Sequence, residues 1–442
     1  MNLTIEKMIY GGDGLARRAD GKTVFLPFVL PGEEVAATIL EEKTGFSRAT
    51  LKEIVHASAR RGEADCPYFA GCGGCHYQHT DYDNQLEIKS SILRETLLRT
   101  AKIKWEKEIA IHSDSPWNYR NRTRVKVQAG KDFALGYHRF SSNSLLPVRQ
   151  CPISSPLINK ALGHVWQLGE SGRVPQGVVE IEFFAGPSGL SGSSGPSVPL
   201  DETDTCMLLE VSIASAAAAT EANLREFARD MQVRMTEIKG VVFFPRATQG
   251  GFLSPKAVVT VGQDFLSYPV GDKAFRVSAG SFFQTNRYLV PDLAKVVAAD
   301  LHGKTALDLY AGVGLFANHL SKRFDQVFAV ESSAMSGSDL EANAQRNVTP
   351  VRSTAEQFLP KCHNLRPELV VVDPPRAGLG DKATKLLASL RAPKIGYLSC
   401  DPTTLARDLR LLVESGYRIE EVKLFDLFPQ TFHVETFVRL ER

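Results

Sequence analysis

Along residues 1–58 apolar positions come in short runs that alternate with polar ones. LTIEKMIY, KTVFLPFVL, EEVAATIL and RATLKEIVHA are separated by the turn sequences GGDG, DGK, PGEE and KTGF. Short strands punctuated in this way predict a small antiparallel barrel, assigned to residues 1–60. The period then lengthens. In YDNQLEIKSSILRETLLRTAKI, Leu86, Ile88, Ile92, Leu93, Leu97, Leu98 and Ile103 recur near helical spacing, so the linking segment 61–105 is predicted to carry one long amphipathic helix.

Residues 106–264 are mixed. Strand-like RTRVKVQA, GVVEIEFFA, MLLEVSIA, GVVFFP and KAVVTVG surround one helix-like stretch, ATEANLREFARDMQV, which predicts an α+β unit. Within it GPSGLSGSSGPSVP (186–199) is rich enough in Gly, Ser and Pro to be expected as a mobile surface loop. From 265 to 442 strands and helices alternate: TALDLY, QVFAVE, ELVVVD and KIGYLS each lead into a helical pattern before a β-rich tail, EEVKLFDLF and FHVETFVRL. The fold class expected is therefore α/β, with a Rossmann-like, mainly parallel sheet at the C-terminal end.

Composition narrows the class. With 442 residues, 43% hydrophobic and 23% charged, the chain has the make-up of a globular protein of about three domains. The opening MNLTIEKMIYGGDG has no basic stretch followed by an apolar one, and VSIASAAAAT (211–220) is too short to span a bilayer. A cytoplasmic monomer with no membrane contact is expected. In that compartment thiols stay reduced, so an odd total of seven cysteines, three of them within CPYFAGCGGC, points to metal binding or catalysis.

Cys66, Cys72 and Cys75 supply three soft ligands, and Cys151 in VRQCPIS is the best fourth. A proline follows both Cys66 and Cys151, as in some iron-sulfur runs, and the five-residue spacer suits a cubane. A four-ligand zinc site, with His76 or His79 able to replace a thiolate, stays open beside it. Cys206 and Cys362 have no such neighbours and read as structural.

A net charge of +2 announces no polyanionic partner, but the charge is unevenly spread. Residues 116–150 hold seven cations against one acid, Asp132. Arg120, Arg122, Arg124 and Lys126 alternate and would share one strand face, with Arg139 further on and Trp117, Tyr119, Tyr137 and Phe140 as stacking surfaces. RNA is the expected partner.

In the C-terminal half ALDLYAGVGLFANHL puts Gly312 and Gly314 where a strand hands over to a helix, a common place for a nucleotide-like ligand. Glu331, ending the next strand, could accept hydrogen bonds from a ribose, and Asp373 opens the rigid tip DPPR after the strand that follows. In KIGYLSCDPTTLARDL, Cys400 stands at the sheet edge before a helix, whose dipole is expected to hold the thiolate low. A thiolate adds well to carbon 6 of a uracil, activating carbon 5. Glu435, beside His433, is a candidate for the base that then removes a proton.

Taken together, GGDGLAR, CPYFAGCGGCHYQH, VRQCPI, GSFFQTN, LDLYAGVGLF, VVVDPPRAGL, YLSCDPTTLARDL and FPQTFHVE resemble the iron-sulfur type of RNA uracil-5-methyltransferases, above all the bacterial 23S ribosomal RNA enzymes with a TRAM domain. The likeness is collinear over almost the whole chain. It implies an oligonucleotide-binding-like TRAM barrel, a central domain bearing a [4Fe-4S] cluster on Cys66, Cys72, Cys75 and Cys151, and a catalytic domain that uses S-adenosylmethionine. It implies that Gln284, Tyr310, Glu331 and Asp373 contact S-adenosylmethionine, with Glu356 the acid after the third catalytic strand. It implies Cys400 as nucleophile, Glu435 as base, and a uridine in RNA as substrate, 23S ribosomal RNA before tRNA. Leu315 stands where the family often has asparagine, and Gln430 where FPHT is common. A non-catalytic, metal-stapled RNA-binding protein and a redox iron-sulfur enzyme are the other classes the residues admit.

Overall fold

Strands β1 (Asn2–Met8), β2 (Asp13–Arg17), β3 (Thr23–Pro27), β4 (Glu34–Glu42) and β5 (Phe46–His56) close into a barrel in the order β1-β2-β3-β5-β4. Alternation drives the closure: Leu3, Ile5, Val24, Leu26, Val35, Ala37 and Ala49 point into one small core. The barrel is not wholly antiparallel, because β3 pairs in parallel with β5; strand periodicity carries no information on direction. The computed structural model describes residues 1–187, 204–215, 219–246, 256–299 and 301–442. The Gly-Ser-Pro loop expected at 186–199 lies, from residue 188, outside the described residues.

Helix α1 (Tyr82–Thr96) begins at Asp81, whose carboxylate accepts from the amide of Asn84. The long helix expected here does not end as an α-helix. Residues Leu97–Ala101 form a wider π turn that stops at Lys102, in the left-handed region at φ 61°, and this keeps Leu97 and Ala101 buried.

A short strand, β6 (Ala110–His112), precedes the central sheet, which is built from β7 (Arg122–Gln128), β8 (Ala134–His138), β9 (Leu145–Pro147), β10 (Val178–Gly186), β11 (Cys206–Ile213), β12 (Ile238–Pro245) and β13 (Val259–Gly262) in the order β13-β12-β11-β10-β7-β8-β9. Helices α2 (Pro156–Glu170) and α3 (Glu221–Arg234) share a hydrophobic core with this sheet. Only α3 was expected. The apolar positions Leu157, Ile158, Ala161, Leu162 and Val165 have helical spacing, but Pro156 and two glycines mask it. Pro156 occupies the first turn, where it is tolerated, and Gly169 is needed because a Cβ there would lie 2.2 Å from the Phe133 ring.

After the hairpin β14 (Phe265–Val270) and β15 (Lys273–Ser278) come α4 (Val290–Ala298), β16 (Gly303–Leu309), α5 (Leu315–Leu320), β17 (Phe324–Glu331), α6 (Ala334–Asn343), β18 (Val348–Arg352), α7 (Ala355–Phe358), β19 (Leu369–Val372), α8 (Gly380–Leu390), β20 (Lys394–Ser399), α9 (Pro402–Glu414), β21 (Arg418–Phe425) and β22 (Glu435–Glu441). The sheet order is β18-β17-β16-β19-β20-β22-β21-β6. Its strands from β16 to β20 run parallel, while β22 is antiparallel to both neighbours. Central strands are apolar on both faces: Leu307, Leu309, Val370 and Val372 face one core, Ala306, Leu369 and Val371 the other. Strand order reverses between β16 and β19, which opens a crevice at their carboxyl ends. Strand β6, from ahead of the central sheet, completes the far edge beside β21. Among the described residues no helix is long and apolar enough to cross a membrane.

One ion pair ties α1 to the end of β21. Lys89 Nζ donates to Asp426 at 2.6 Å and to the Phe428 carbonyl at 2.9 Å, and both charged side chains are fully buried. Burial pulls the Lys89 ammonium below its ordinary range, against the Asp426 charge that holds it up. Asp426→Ala would strand the ammonium and is expected to cost about 3–5 kcal/mol in urea unfolding, with the double change Lys89→Met, Asp426→Leu recovering most of it.

Candidate active site

The crevice at the β16–β19 reversal is shaped by its turn. Leaving β16, the chain passes Tyr310 at φ 64°, Gly312 at φ 55° and Gly314 at φ 90°. Gly314 caps α5 in the left-handed region, and a Cβ there would come 2.7 Å from Leu340. A Cβ on Gly312 would meet nothing within 4 Å, because that residue faces open space. Phe282, Gln284, Tyr310, Gly312, Leu315 and Asp373 line the cleft.

Acids surround it. Glu331 accepts from the amides of Gly312 at 2.9 Å and Ser333 at 2.6 Å, so it fixes the glycine turn while each carboxylate oxygen keeps a free lone pair. Gln284 donates to Asp373 at 3.4 Å, and burial lifts the Asp373 carboxyl to about 7. Glu356 sits in the first turn of α7 behind a Thr354–Gln357 capping box. Burial, then the charges of Glu356 and Asp408, push the Tyr310 hydroxyl up to about 12. The sequence reading missed Asp308. Wholly buried in β16, it accepts from the Ala317 amide at 2.7 Å, and its carboxyl rises to about 8 through burial, with Asp373 and Glu331 adding to the rise. Its only signal was an acid inside an apolar strand.

Cys400 and Glu435 meet because β20 and β22 are neighbours. Ser399 pairs with Thr436, which sets the residue after β20 beside the first residue of β22. Glu435 is buried, and burial together with the Asp373 charge raises its carboxyl well above the usual range, against Arg376. The expected thiolate is not held low. Burial first, then Glu435 and Asp373, push the Cys400 thiol up to about 12, with Arg376 opposing. The helix end that was to stabilise it is taken: Asp401 accepts from the amides of Thr403 and Thr404 at the start of α9.

Arg376 is therefore the cation of the site, and α9 holds its loop. Thr404 donates to the Arg376 carbonyl at 3.0 Å and Arg407 to the Ala377 carbonyl at 2.8 Å. Asp408, fully buried, accepts from the Leu379 amide and the Tyr397 hydroxyl, each at 2.7 Å. The Arg376 guanidinium reaches the His433 ring at 3.1 Å, and burial followed by Arg376 lowers that imidazole to about 3. His433 is thus neutral.

The four cysteines Cys66, Cys72, Cys75 and Cys151 line one cavity of about 380 Å³ together with Arg120, Arg376 and His433. Burial is the main reason that Cys72 rises to about 11 and Cys75 to about 12, and the other thiols add to it. Among the described residues no group of three or more such side chains is placed to hold a metal ion. His79 points elsewhere, its ring stacked on Phe69 and its Nε2 3.3 Å from the Val29 carbonyl. His76 lines the cavity.

The basic strand is less one-sided than its sequence. Arg122 pairs with Glu182 at 2.6 Å, Arg124 with Glu182 at 2.7 Å, and Lys126 with Glu180, all across the β7–β10 pairing. Arg120 precedes β7 and lines the cysteine cavity, so the four expected cations do not form one free face. Arg139 is exposed, bridged through its backbone to Cys72. Arg120, Arg122 and Arg124 also border a cleft of about 360 Å³ with Glu182, Glu210 and Phe282, and Phe282 also lines the Gly312–Asp373 crevice.

Residues 252–442 match the family model described as tRNA (Uracil-5-)-methyltransferase, and residues 1–52 match the TRAM domain. An uncharacterized RNA methyltransferase of Aquifex aeolicus is 33% identical over 449 residues, covering 100% of this chain and 98% of its own. Another, from Caldanaerobacter subterraneus, is 31% identical and covers 99% of this chain and 97% of its own. The crystal structure of Pyrococcus abyssi tRNA (uracil-54, C5)-methyltransferase in complex with S-adenosyl-L-homocysteine shares the fold, with a TM-score of 0.75 at 22% identity over 100% of both chains. Two family matches in one chain and a full-length relative at 33% identity show that this protein belongs to the TRAM-containing RNA uracil-5-methyltransferases.

Proposed function

We propose that the protein methylates carbon 5 of a uridine in RNA, with Cys400 as nucleophile and Glu435 as base. The observation that carries this is the β20–β22 pairing, Ser399 with Thr436, which sets a thiol and a buried carboxyl side by side, both feeling the charge of Asp373, which lines the Gly312–Asp373 crevice. Gln284, Tyr310, Gly312, Gly314, Glu331, Glu356 and Asp373 are the residues assigned to S-adenosylmethionine. An acid-rich crevice suits a ligand that carries a sulfonium, an amino group and a ribose diol. When bound, S-adenosylmethionine supplies an electrophilic methyl group.

The chain's own residues do the rest. Once Cys400 has lost its proton, its sulfur bonds to carbon 6 of the uracil and the ring electrons move towards carbon 5. After carbon 5 has gained the methyl group, Glu435 takes the carbon 5 proton, the double bond re-forms and the carbon 6–sulfur bond breaks. A carboxylate whose proton affinity is raised by burial suits that final step. Arg376, opposing the negative charge at both Cys400 and Glu435, favours the ionised forms.

Cys66, Cys72, Cys75 and Cys151 are assigned to a [4Fe-4S] cluster, which would staple the 66–75 segment to Cys151 and supply the positive charge that buried thiolates need. Residues 1–60 then serve as an RNA-binding TRAM barrel, 61–105 as the cysteine segment and linking helix, 106–264 as the central iron-sulfur and RNA-binding unit, and 265–442 as the catalytic domain. The resemblance favours 23S ribosomal RNA, and tRNA is the alternative.

Mass mapping of 5-methyluridine in 23S ribosomal RNA and tRNA from cells lacking the gene tests the reading: one uridine in 23S ribosomal RNA should lose its methyl group, and only the native gene, not Cys400→Ala, should restore it. In vitro Cys400→Ala is expected to lower methylation on the order of 10⁴-fold or more. No lost site, or an active alanine variant, would refute it.

Because the Cys400 thiol is raised to about 12, alkylation by iodoacetamide should be slow at neutral pH and quicken as pH rises. As pH rises Glu435 ionises beside the thiol and raises its proton affinity; Glu435→Gln removes that charge, so the profile should move to lower pH. Anaerobic purification of the protein should give a brown chromophore that any one of Cys66→Ser, Cys72→Ser, Cys75→Ser or Cys151→Ser removes, along with part of the RNA affinity in a gel-shift assay; zinc in place of iron by metal analysis would count against the cluster.

A further inference from the structure

The first turn of the barrel is driven into the active site. After β1 the chain turns through Tyr10, Gly11 and Gly12, closed by Gly12 donating to the Ile9 carbonyl and Ile9 to the Asp13 carbonyl. Gly12 adopts φ 92°, and a Cβ on it would lie 2.9 Å from the His76 imidazole, so only glycine lets this turn press against the cysteine segment. On the other side the Tyr10 ring meets Phe432 edge-on, with centroids 5.5 Å apart and planes at 84°. Its hydroxyl donates to the Cys400 carbonyl at 3.4 Å. Burial first, then the Asp401 carboxylate, through its charge and as a second acceptor for the same hydroxyl, hold the Tyr10 proton above its ordinary range, so the hydroxyl stays a donor, shared between the Cys400 carbonyl and the side chain of the next residue, at any working pH.

We infer that Tyr10 of the barrel is a positioning residue for Cys400, holding by hydrogen bond and ring contact the backbone from which the thiol projects. The inference deepens the proposed function and rests on Cys400 being the nucleophile. Its physical reason is the place of Cys400 in the chain. The residue lies past the last β20–β22 pair, Ser399 with Thr436, and ahead of the Asp401 cap, so it belongs to neither ladder. A sulfur that must meet carbon 6 along one line loses rate when its backbone can shift by a fraction of an ångström. Tyr10 reaches this backbone from 390 residues away, which makes the barrel part of the active-site frame as well as a surface for RNA. RNA held by the barrel and the attacking sulfur are then referred to one rigid turn.

The test is Tyr10→Phe, which keeps the ring on Phe432 and removes only the hydroxyl. One hydrogen bond from a neutral donor should lower kcat, and equally the single-turnover rate of covalent trapping on 5-fluorouridine-containing RNA, by about 2- to 10-fold, with the RNA KM and the melting temperature unchanged. Tyr10→Ala, which also removes the ring, should lower both rates further. Native kcat and trapping in Tyr10→Phe would overturn the inference, and so would a raised RNA KM at native kcat, because the barrel would then act through RNA affinity alone. Cys400→Ala run alongside separates the two readings: if it retains activity the assignment of the nucleophile fails, whereas an inactive Cys400→Ala beside a native Tyr10→Phe sinks only the role of Tyr10.

Discussion

The register of two antiparallel strands governs this molecule. Pairing Ser399 with Thr436 brings Cys400 and Glu435 together at the edge of an otherwise parallel sheet. A slip of one residue would turn every side chain of β22 to the opposite face, and Phe437 and Val438, buried in different cores on either side of the sheet, make such a slip costly. Burial that stabilises the sheet thus also fixes the two groups proposed to react.

The arrangement concentrates acidic groups. Asp308, Asp373, Glu435 and Cys400 lie where water is scarce, and each holds its proton more tightly than it would in solution. Among the described residues one guanidinium, that of Arg376, works against this at Cys400 and Glu435. Its loop is strapped to α9 through Thr404, Arg407 and the buried Asp408, so helix α9 holds the Arg376 loop on one side of the site and caps the Cys400 loop on the other. Raised proton affinity suits a base that must strip a proton from carbon. It disfavours a resting thiolate, so the form of Cys400 proposed to add to the uracil is a minor one until charge is rearranged around it.

Much of the fold could be read from periodicity, because barrel strands with alternating cores and parallel strands buried on both faces leave different patterns. What escaped shares one cause. The parallel β3–β5 pairing, the β6 strand lent to a distant sheet, the glutamates of β10 opposite the basic strand and the hydroxyl of Tyr10 at Cys400 all depend on partners far off in the chain. The sign of the Cys400 shift was misjudged for the same reason. A helix N-terminus is visible two letters away, whereas Asp373 and Glu435 arrive from other strands. Helix α2 is the exception, a local pattern hidden by proline and glycine.

Gln430 shows how a strained backbone position beside the site is absorbed. It sits at φ 68° in the loop leading to Glu435, a conformation that costs a non-glycine residue about 1 kcal/mol or more. Around it the structure gathers compensation. Its amide side chain and backbone exchange hydrogen bonds with Gln85, its carbonyl accepts from the amides of His76 and Tyr77, and the adjoining Pro429 and Phe428 carbonyls accept from Tyr119 and Lys89. His76 follows Cys75 directly. Order in the cysteine segment is thereby passed, through two backbone amides, to the loop that delivers the proposed base.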